Sequence, residues 1–436
     1  MQLVEHRIYG EGKIRKKRFG GFELYVEFKD GIERWVRRDE VRFLSETPIL
    51  IKHKPSGLVL SEEQFKARQI IEALRLGVVP HKYVEEFTLG REREINDVKN
   101  WLNNSNSGSL VVIGEYGVGK THLLEYIYST ALKDNWAVSM VELDPNEVSF
   151  HKPKVIYQRI ISSFKFRERN GDFREFLKQI ANSARFYEIE SHEYLGRVIK
   201  KIRSGTDDDE NMWEWIEGEP AWYQYPPMYN YSTCANIYCY ILSGMGWAAK
   251  NILGLKGFLI LFDEAENVDS YWYSSYQNNK VWNFLTGLIL MTNNDERLLT
   301  DTIERLYSWS GYSQGWWGHY TELQYCGYSQ LPFLWRDPCS VKIIFAFAPT
   351  WVLEREPLKN VDKLQLEHID KEVFSKIWHL LNKLYKIAYN CEYNKDFSRF
   401  RRRAPIDKTR KFIKGVIEFF DLRRFHPDKL IDELLK

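Results

Sequence analysis

A glycine-rich segment that ends in a lysine and a threonine is the part of this chain whose residue types and spacing point most directly to chemistry. Residues 114–121, GEYGVGKT, match the pattern G-x-x-x-x-G-K-[ST] between an apolar run and a helical pattern. Glycines allow a loop whose backbone N–H groups, together with the start of a helix, face a polyphosphate. Lys120 would add a positive charge for the β- and γ-phosphates, and Thr121 a hydroxyl ligand for Mg²⁺. The segment predicts nucleoside triphosphate binding, with contacts from Gly114, Glu115, Tyr116, Gly117, Val118, Gly119, Lys120, Thr121 and His122.

An acidic pair at the end of an apolar strand is the second candidate site. Residues 258–266, FLILFDEAE, place Asp263 and Glu264 at the carboxyl end of a strand, where ligands bind in open α/β sheets. Asp263 would hold the Mg²⁺ shell, and Glu264 would polarise the attacking water. The alternative is that the acidic run caps a following helix, whose dipole favours a carboxylate. Beside the glycine loop, the pair predicts hydrolysis of the bound triphosphate.

The residues also bear on which nucleotide base is bound and on one further contact near the γ-phosphate. The chain has no N-K-x-D or T-K-x-D motif of the kind that reads guanine, so adenine, and hence ATP, is favoured. The apolar residues 343–350, IIFAFAPT, end in Thr350, whose hydroxyl could reach the water near the γ-phosphate. An apolar strand followed by an ordinary turn is the alternative.

These residues need a sheet to position them. Apolar runs at 110–113, 137–143, 258–262 and 343–348 alternate with helical stretches, which predicts an α/β fold with a parallel sheet covered by helices. Residues 1–45 instead alternate in and out around turns, and Asp30-Gly31 is a hairpin signal, so we expect a small β-barrel there. Two stretches rich in Trp and Tyr, 203–240 and 306–339, are expected to be ordered insertions, because disordered segments are poor in aromatic residues.

Bulk composition excludes little. A net charge of +2 neither requires nor excludes a nucleic acid partner, so any such argument must rest on local clusters. The five cysteines form no C-x-x-C pair, which argues against structural zinc and a disulfide framework. The first residues lack the apolar segment of a secretory signal, and the apolar runs are too short to span a bilayer. We therefore expect a cytoplasmic protein with no membrane partner.

Two basic patches could contact double-stranded DNA. The C-terminal patch has aromatic residues interleaved, as phosphate contacts combined with base stacking would require, and comprises Arg399, Arg401, Arg402, Arg403, Lys408, Arg410, Lys411 and Lys414 with Phe397, Phe400 and Phe412. A solvated helix face is the competing interpretation. The N-terminal patch, Lys13 to Arg18 with Arg34, Arg37 and Arg38, would suit nucleic acid or a protein equally well.

Several segments resemble AAA+ ATPases. The strand ending at Thr350 resembles their sensor strand, and GVVPHKYVEEFTLGREREI resembles the segment before the P-loop in Orc/Cdc6-like members. This resemblance implies that Val79 and Pro80 pack on adenine and that Gly90 and Arg91 open the ATPase core. IDKTRKFIK resembles a lid helix whose Arg410 reaches the γ-phosphate, although a threonine replaces the usual proline before it.

The resulting prediction is an AAA+ P-loop core with a helical lid and a small N-terminal domain. The N-terminal residues resemble SH3-like or Tudor-like interaction domains. The predicted units are a β-barrel at 1–46, a linker with a helix packing near adenine at 47–88, the ATPase core with its aromatic insertions at 89–360, and a C-terminal lid at 361–436.

A closer resemblance covers most of residues 65–270. ARQIIEALRLGVVPHKYVEEFTLGRE, VIGEYGVGKTHLLEY, VELDPNEV and ANIYCYILSGMGWAAKNILGLKGFLILFDEAE are similar to BrxD-like ATP-binding proteins of the BREX phage-defence type. The resemblance implies an ATPase acting on DNA alongside a helicase or another defence protein. Such a site is normally completed by a neighbouring subunit's arginine, so we expect an oligomer, with Arg336 and Arg355 as candidates. A nucleotide-gated interaction protein with little turnover remains the alternative.

Overall fold

The computed structural model describes most of the chain, and it separates into two compact units, Met1–Ser61 and Glu62–Lys436. The residues described are 3–6, 9–18, 23–29, 31–37, 41–44, 60–79, 81–104, 106–167, 171–206, 209–219, 225–228, 235–270, 272–299, 323, 331–393, 396–404, 406, 408–429 and 433. Much of the second aromatic stretch, 306–339, therefore lies outside the described residues.

The N-terminal unit is an antiparallel sheet with the strand order β4-β3-β2-β1-β5. Its strands are β1 Leu3–His6, β2 Gly10–Arg18, β3 Glu23–Phe28, β4 Glu33–Arg37 and β5 Val41–Leu44. Val4, Leu24, Val26 and Phe28 are buried on one face, as the alternating sequence predicts. Among the strands described, β4 and β5 are not paired with each other, so the closed barrel stays a prediction.

The second unit contains a five-stranded parallel sheet with the order β10-β6-β9-β8-β7. Its strands are β6 Ser109–Ile113, β7 Ala137–Glu142, β8 Phe258–Asp263, β9 Val341–Phe347 and β10 Asp362–Gln365. The predicted α/β fold with a parallel sheet is confirmed, and this arrangement is consistent with a P-loop core. The strand β10 was not predicted, because its four residues, DKLQ, are short and mostly polar.

The second unit contains twelve α-helices within the described part of the chain. They are α1 Glu62–Leu76, α2 Glu92–Asn104, α3 Lys120–Lys133, α4 Pro153–Ser163, α5 Phe173–Asn182, α6 Leu195–Arg203, α7 Glu210–Ile216, α8 Ala235–Asn251, α9 Ser275–Thr292, α10 Lys371–Tyr389, α11 Phe397–Arg403 and α12 Thr409–Phe425.

Both faces of the parallel sheet are buried along β6, β7, β8 and β9, because neighbouring apolar residues of these strands belong to different cores. In β8, Ile260 and Phe262 pack in the core that includes α8 and α9, whereas Leu259 and Leu261 pack in the core that includes α3. Because these strands are buried on both faces, they appear in the sequence as uninterrupted apolar runs.

A third core joins α1 to the C-terminal helices. Ile70, Ile71 and Leu74 of α1 pack with apolar residues of α10, α11 and α12. Arg75 of α1 donates two hydrogen bonds of 3.0 Å to the carboxylate of Asp421 on α12. In the structure α1 thus packs in the same helical body as the C-terminal segment, and the division at 47–88 stays a prediction.

The described part of the first aromatic stretch serves core packing. Trp215 of α7 is buried, and its ring stacks against Tyr194 and Tyr225, with centroids 5.5 and 4.6 Å away. Its indole N–H donates to the carbonyl of Pro226 at 2.8 Å. These aromatic residues therefore stabilise the helical insertion between β7 and β8.

No helix in the described ranges is both long enough and apolar enough to cross a membrane.

Candidate nucleotide-binding site

The glycine loop connects β6 to α3, as the sequence predicts. Gly117 and Gly119 have φ values of +80° and +111°, which L-residues with a Cβ rarely adopt. A Cβ added to Gly114 would lie 2.7 Å from Cγ1 of Val118, so this position is closely packed. The Gly114 N–H donates to the carbonyl of Phe347 at 3.0 Å, which fixes the start of the loop on the end of β9.

Lys120 and Thr121 form the first turn of α3. Lys120 is buried, and its Nζ donates to the carbonyl of Gly114 at 2.9 Å. The ammonium also lies 4.9 Å from the ring centroid of Tyr116, a favourable cation–π distance. Thr121 Oγ1 donates to Asp263 Oδ2 at 2.6 Å, although 142 positions separate the two residues in sequence. The glycine loop and the acidic strand end therefore meet.

The acidic pair lies where β8 ends. Asp263 is 3% exposed, and burial raises the pKa of its carboxyl even though the Thr121 hydroxyl donates to it. Burial raises the pKa of Glu264 as well, and the negative charge of Glu266 adds to that effect. Glu264 precedes a short 3-10 helix, Ala265–Val268, but its side chain makes no capping hydrogen bond there. The capping alternative therefore has no support from this geometry.

The turn after β8 holds Glu264 in a left-handed backbone conformation with φ +53°. Such a conformation is costly for a residue with a Cβ and persists where surrounding contacts fix it. The Glu264 N–H donates to Asp263 Oδ1 at 3.0 Å, and its carbonyl accepts from the Asn267 N–H at 3.1 Å. Glu266 Oε2 accepts from the Ala348 N–H at 2.9 Å, which ties the turn to the end of β9.

One cavity of about 890 Å³ joins these groups, a volume within the range of small-molecule sites. The predicted site residues that line it are Val79, Arg91, Tyr116, Gly117, Val118, Gly119, Lys120, Thr121, His122, Asp263, Glu264 and Arg410. Most of its apolar lining comes from α1, the segment after it and the C-terminal helices, and this part includes Leu74, Val78, Phe87, Leu89, Ile369, Ile377, Leu380, Leu381 and Ile413. The cavity thus combines the polar glycine loop with an apolar surface.

Arg91 connects the loop to the segment that leads into the C-terminal helices. It is 5% exposed, and its guanidinium donates to the carbonyls of Val118 and Glu367, each at 2.8 Å. It also donates to Glu94 Oε1 at 2.7 Å. These bonds hold the second half of the glycine loop at a fixed position relative to the linker.

His122 follows Thr121 directly on α3. Its Nε2 lies 2.7 Å from Thr88 Oγ1, and its ring packs edge-on against Phe87 with centroids 5.2 Å apart. Burial, together with the smaller effect of the positive charge of Arg91, lowers the pKa of His122 to about 4. The imidazole is therefore neutral at physiological pH.

The C-terminal helices reach the glycine loop through Arg410. A Cβ added to Gly117 would lie 3.9 Å from Cβ of Arg410. A Cβ added to Gly77, at the end of α1, would lie 3.1 Å from Nε of Arg410 and 2.5 Å from Cε of Lys414. Arg410 thus lines the cavity between the loop and α1, and Lys414 lies against the end of α1.

Other predicted residues do not line the cavity. Thr350 caps a short helix, Trp351–Glu354, by accepting from the Val352 N–H at 3.5 Å. Gly90 has φ +70° and packs against Val373 of α10. Glu115 is exposed, and its carboxylate lies 3.4 Å from Nε2 of His368. Gly114 forms the base of the loop, and Pro80 lies outside the described residues.

The candidate trans-acting arginines are both stacked on tryptophans. The guanidinium of Arg336 lies 4.2 Å from the ring of Trp335 and 4.7 Å from that of Trp247. The guanidinium of Arg355 lies 4.4 Å from the ring of Trp282. Neither lines the cavity of its own chain.

The prediction that phenylalanines of the C-terminal basic patch stack on bases is wrong for two of the three. Phe400 and Phe412 are 1% and 0% exposed, because they pack in the core shared by α1, α10 and α12. The guanidinium of Arg401 lies 4.8 Å from the ring of Phe374 in the same helical body. These two phenylalanines cannot stack on bases, whereas Arg402, Arg403, Lys408 and Lys411 remain exposed.

In the N-terminal patch, Arg15 forms an ion pair with Glu27, and the guanidinium of Arg34 lies 4.3 Å from the ring of Tyr9. Arg38 and the side chains of Lys17, Arg18 and Arg37 lie outside the described residues.

Sequence reasoning missed two contributors to the site. Thr88 fixes the ring of His122, and Glu266 ties the acidic turn to β9. A third carboxylate in the acidic run DEAE was a visible signal for Glu266. Nothing in the pattern around Thr88 distinguishes it from an ordinary loop threonine.

Comparison with known proteins agrees with the nucleotide site. Residues 63–220 match the family model described as BREX system ATP-binding protein BrxC/D. The matched region begins in α1, contains the whole glycine loop and ends before Asp263 and Glu264. No curated protein matches the chain. The chain is therefore similar to this ATP-binding family over 158 of its 436 residues, a region that includes the glycine loop.

Proposed function

We propose that this protein is an AAA+ ATPase that binds and hydrolyses Mg²⁺-ATP and acts on double-stranded DNA or on a complex bound to DNA. The observation that carries the proposal is the 2.6 Å hydrogen bond between Thr121 and Asp263, which brings the two predicted motifs to one cavity. The strand order β10-β6-β9-β8-β7 supports it, since β6 is an inner strand, paired with β10 and β9, and leads directly into the phosphate loop.

The polar and apolar parts of the cavity suggest how ATP lies in it. The triphosphate binds at Gly114–Gly119 and the start of α3, where backbone N–H groups and the helix dipole favour an anion. Lys120 leaves the Gly114 carbonyl to pair with the β- and γ-phosphates. Adenine occupies the apolar part of the cavity beside Val79, and Arg91 holds the loop against the linker.

The residues present fit Mg²⁺. Thr121 and Asp263 offer a hydroxyl and a carboxylate oxygen, the hard ligands that Mg²⁺ prefers beside substrate phosphates. The carboxyl of Asp263 is desolvated, which raises its pKa, so a cation beside it would offset that cost. When bound, the ion neutralises phosphate charge.

Glu264 then orients the attacking water and accepts its proton. Arg410 reaches the γ-phosphate from α12, a role supported by its position beside Gly117. Thr350 contributes only after a rearrangement, because its hydroxyl now caps a short helix. An arginine from a neighbouring subunit, Arg336 or Arg355, would raise the rate by about three to five orders of magnitude, which makes an oligomer the active form.

The exposed arginines and lysines of the C-terminal patch bind phosphates of the DNA without reading its sequence. The N-terminal sheet serves as an SH3-like or Tudor-like module that recruits a helicase or another defence protein. Its last strand returns to pair with its first, which supports this type of small domain.

The test is a comparison of binding with turnover. ATP affinity is measured by calorimetry with Mg²⁺, and phosphate release is measured with and without double-stranded DNA. Glu264→Gln should keep ATP affinity and lose turnover, whereas Lys120→Ala should lose affinity. Asp269→Asn is the matched control, since this carboxylate lies in the same acidic turn but does not line the cavity. Turnover in Glu264→Gln equal to wild type contradicts the assignment of Glu264.

A nucleotide-gated interaction protein is the second candidate. It is favoured by the position of Arg410 and Ile413, which line the cavity from the helical body that also contains α1. ATP would contact this body and the phosphate loop at once, and could order one against the other. ATP-dependent assembly without phosphate release, with or without DNA, would favour this candidate over the ATPase.

A further inference from the structure

His122 occupies the boundary between the two parts of the cavity. It directly follows Thr121 in the phosphate loop, yet its ring packs against Phe87, which belongs to the apolar lining. A nucleotide with its phosphates on the loop must place its base against that lining, because the base is its largest flat apolar group. The imidazole therefore stands beside the path of the base.

Hydrogen bonds around Thr88 fix the tautomer of His122. The Thr88 hydroxyl has one proton and donates it to the carbonyl of Val84 at 2.7 Å. The contact of 2.7 Å between Thr88 Oγ1 and His122 Nε2 therefore requires that Nε2 carry the imidazole proton and donate it. In the neutral imidazole, the other ring nitrogen, Nδ1, is then left with a lone pair. It has no hydrogen-bond partner within the described part of the chain, and the ring lines the cavity.

We propose that His122 determines base specificity, by accepting a hydrogen bond at Nδ1 from the 6-amino group of adenine. Adenine carries a donor at this position and guanine or hypoxanthine an oxygen acceptor, so an acceptor fixed on the protein favours the first and repels the other two. Thr88 is the positioning residue, since it holds both the ring and the proton. The inference rests on the proposed nucleotide site and specifies which base that site takes.

The expected change in nucleotide affinity follows from the chemistry of a buried polar pair. A hydrogen bond in a largely apolar site should change affinity by about tenfold, and a facing acceptor should cost more because both oxygen and nitrogen lone pairs lose solvent. Purine riboside 5′-diphosphate differs from ADP only at position 6 of the purine, where a hydrogen replaces the amino group. IDP carries an oxygen at that position and a proton at N1.

The experiment measures the dissociation constants of these three diphosphates with Mg²⁺ by calorimetry, in the full-length chain. The wild type should bind ADP about tenfold more tightly than purine riboside diphosphate, and IDP most weakly. His122→Phe keeps a ring against Phe87 but removes the acceptor, so ADP and purine riboside diphosphate should bind equally. Thr88→Val, which does not alter the ring itself, should reduce the same ratio. Glu142→Gln, another residue lining the cavity, is the control and should keep it.

Two results overturn the inference. The first is a wild type that binds ADP and purine riboside diphosphate with equal affinity. The second is a ratio that persists in both His122→Phe and Thr88→Val. If His122→Phe does not fold, as judged by circular dichroism, the ratio in Thr88→Val decides alone. A wild type that binds none of the three would instead reject the nucleotide site, and this inference with it.

Discussion

Replacement of Arg91 tests how firmly the phosphate loop is held to the rest of the fold. Its guanidinium donates to two backbone carbonyls, Val118 and Glu367, and to the Glu94 carboxylate, all within 2.8 Å. Arg91→Met keeps an unbranched apolar stem but leaves two carbonyls and one carboxylate without their donor. Breaking a buried ion pair costs about 3–5 kcal/mol, and the 13% exposure of the Glu94 side chain favours the lower end.

The expected change can be measured by thermal unfolding. A loss of about 3 kcal/mol should lower Tm by about 4 °C in a unit of this size, since the unfolding entropy scales with residue number. ADP affinity should also fall, because the Val118 carbonyl is part of the loop. Arg93→Met is the matched control, as its side chain is 87% exposed and lies 4.0 Å from Asp97. Exposed pairs of this kind contribute little to stability.

A second change separates the ion pair from the carbonyl bonds. Arg91→Met combined with Glu94→Leu removes the stranded carboxylate and should recover part of the lost Tm. The reasoning is refuted if Arg91→Met unfolds within about 1 °C of the wild type. It is also refuted if Arg93→Met is equally destabilising.

Two further predictions concern packing and pH. Gly108→Ala would place a Cβ 1.9 Å from the carbonyl oxygen of Thr292 and should lower the free energy of unfolding by about 3 kcal/mol. Gly205→Ala is the comparison, because Gly205 has φ +69° but no atom within 4 Å of the added Cβ, and it should cost about 1 kcal/mol. Chemical denaturation measures both. Burial lowers the pKa of His192 to about 3. Between about pH 6.5 and 3 this histidine is therefore protonated in the unfolded chain but neutral in the folded chain, so the free energy of unfolding should fall as pH decreases through that range. His192→Asn should flatten that decline, and an unchanged slope would contradict the role of this histidine.

The glycine loop, the acidic strand end and the parallel sheet could be predicted from sequence because each leaves a local pattern. Strands buried on both faces must be apolar throughout, and a phosphate loop needs glycines at positions with positive φ. The strand β10 leaves no such pattern, since DKLQ lies mostly exposed at the edge of the sheet and pairs on one side with β6.

Packing between distant elements was not predictable in the same way. The periodicity of α1 indicates an apolar face but not its neighbour, and only the fold places Ile70 and Ile71 against α10 and α12. Phe400 and Phe412 read as part of a basic surface because they alternate with arginines, yet they fill the helical core. The link from Thr88 to His122 joins single residues 34 positions apart and has no sequence signature.

The central claim is that Thr121 and Asp263 hold one Mg²⁺-bound triphosphate between them. The most direct test measures the affinity of a non-hydrolysable ATP analogue, with and without Mg²⁺, in Thr121→Val, Asp263→Asn and the double variant. Each single change should abolish most of the gain in affinity that Mg²⁺ brings, and the double variant should lose no more than either. Independent, additive losses, or a Mg²⁺ gain that survives in both single variants, would contradict a shared site.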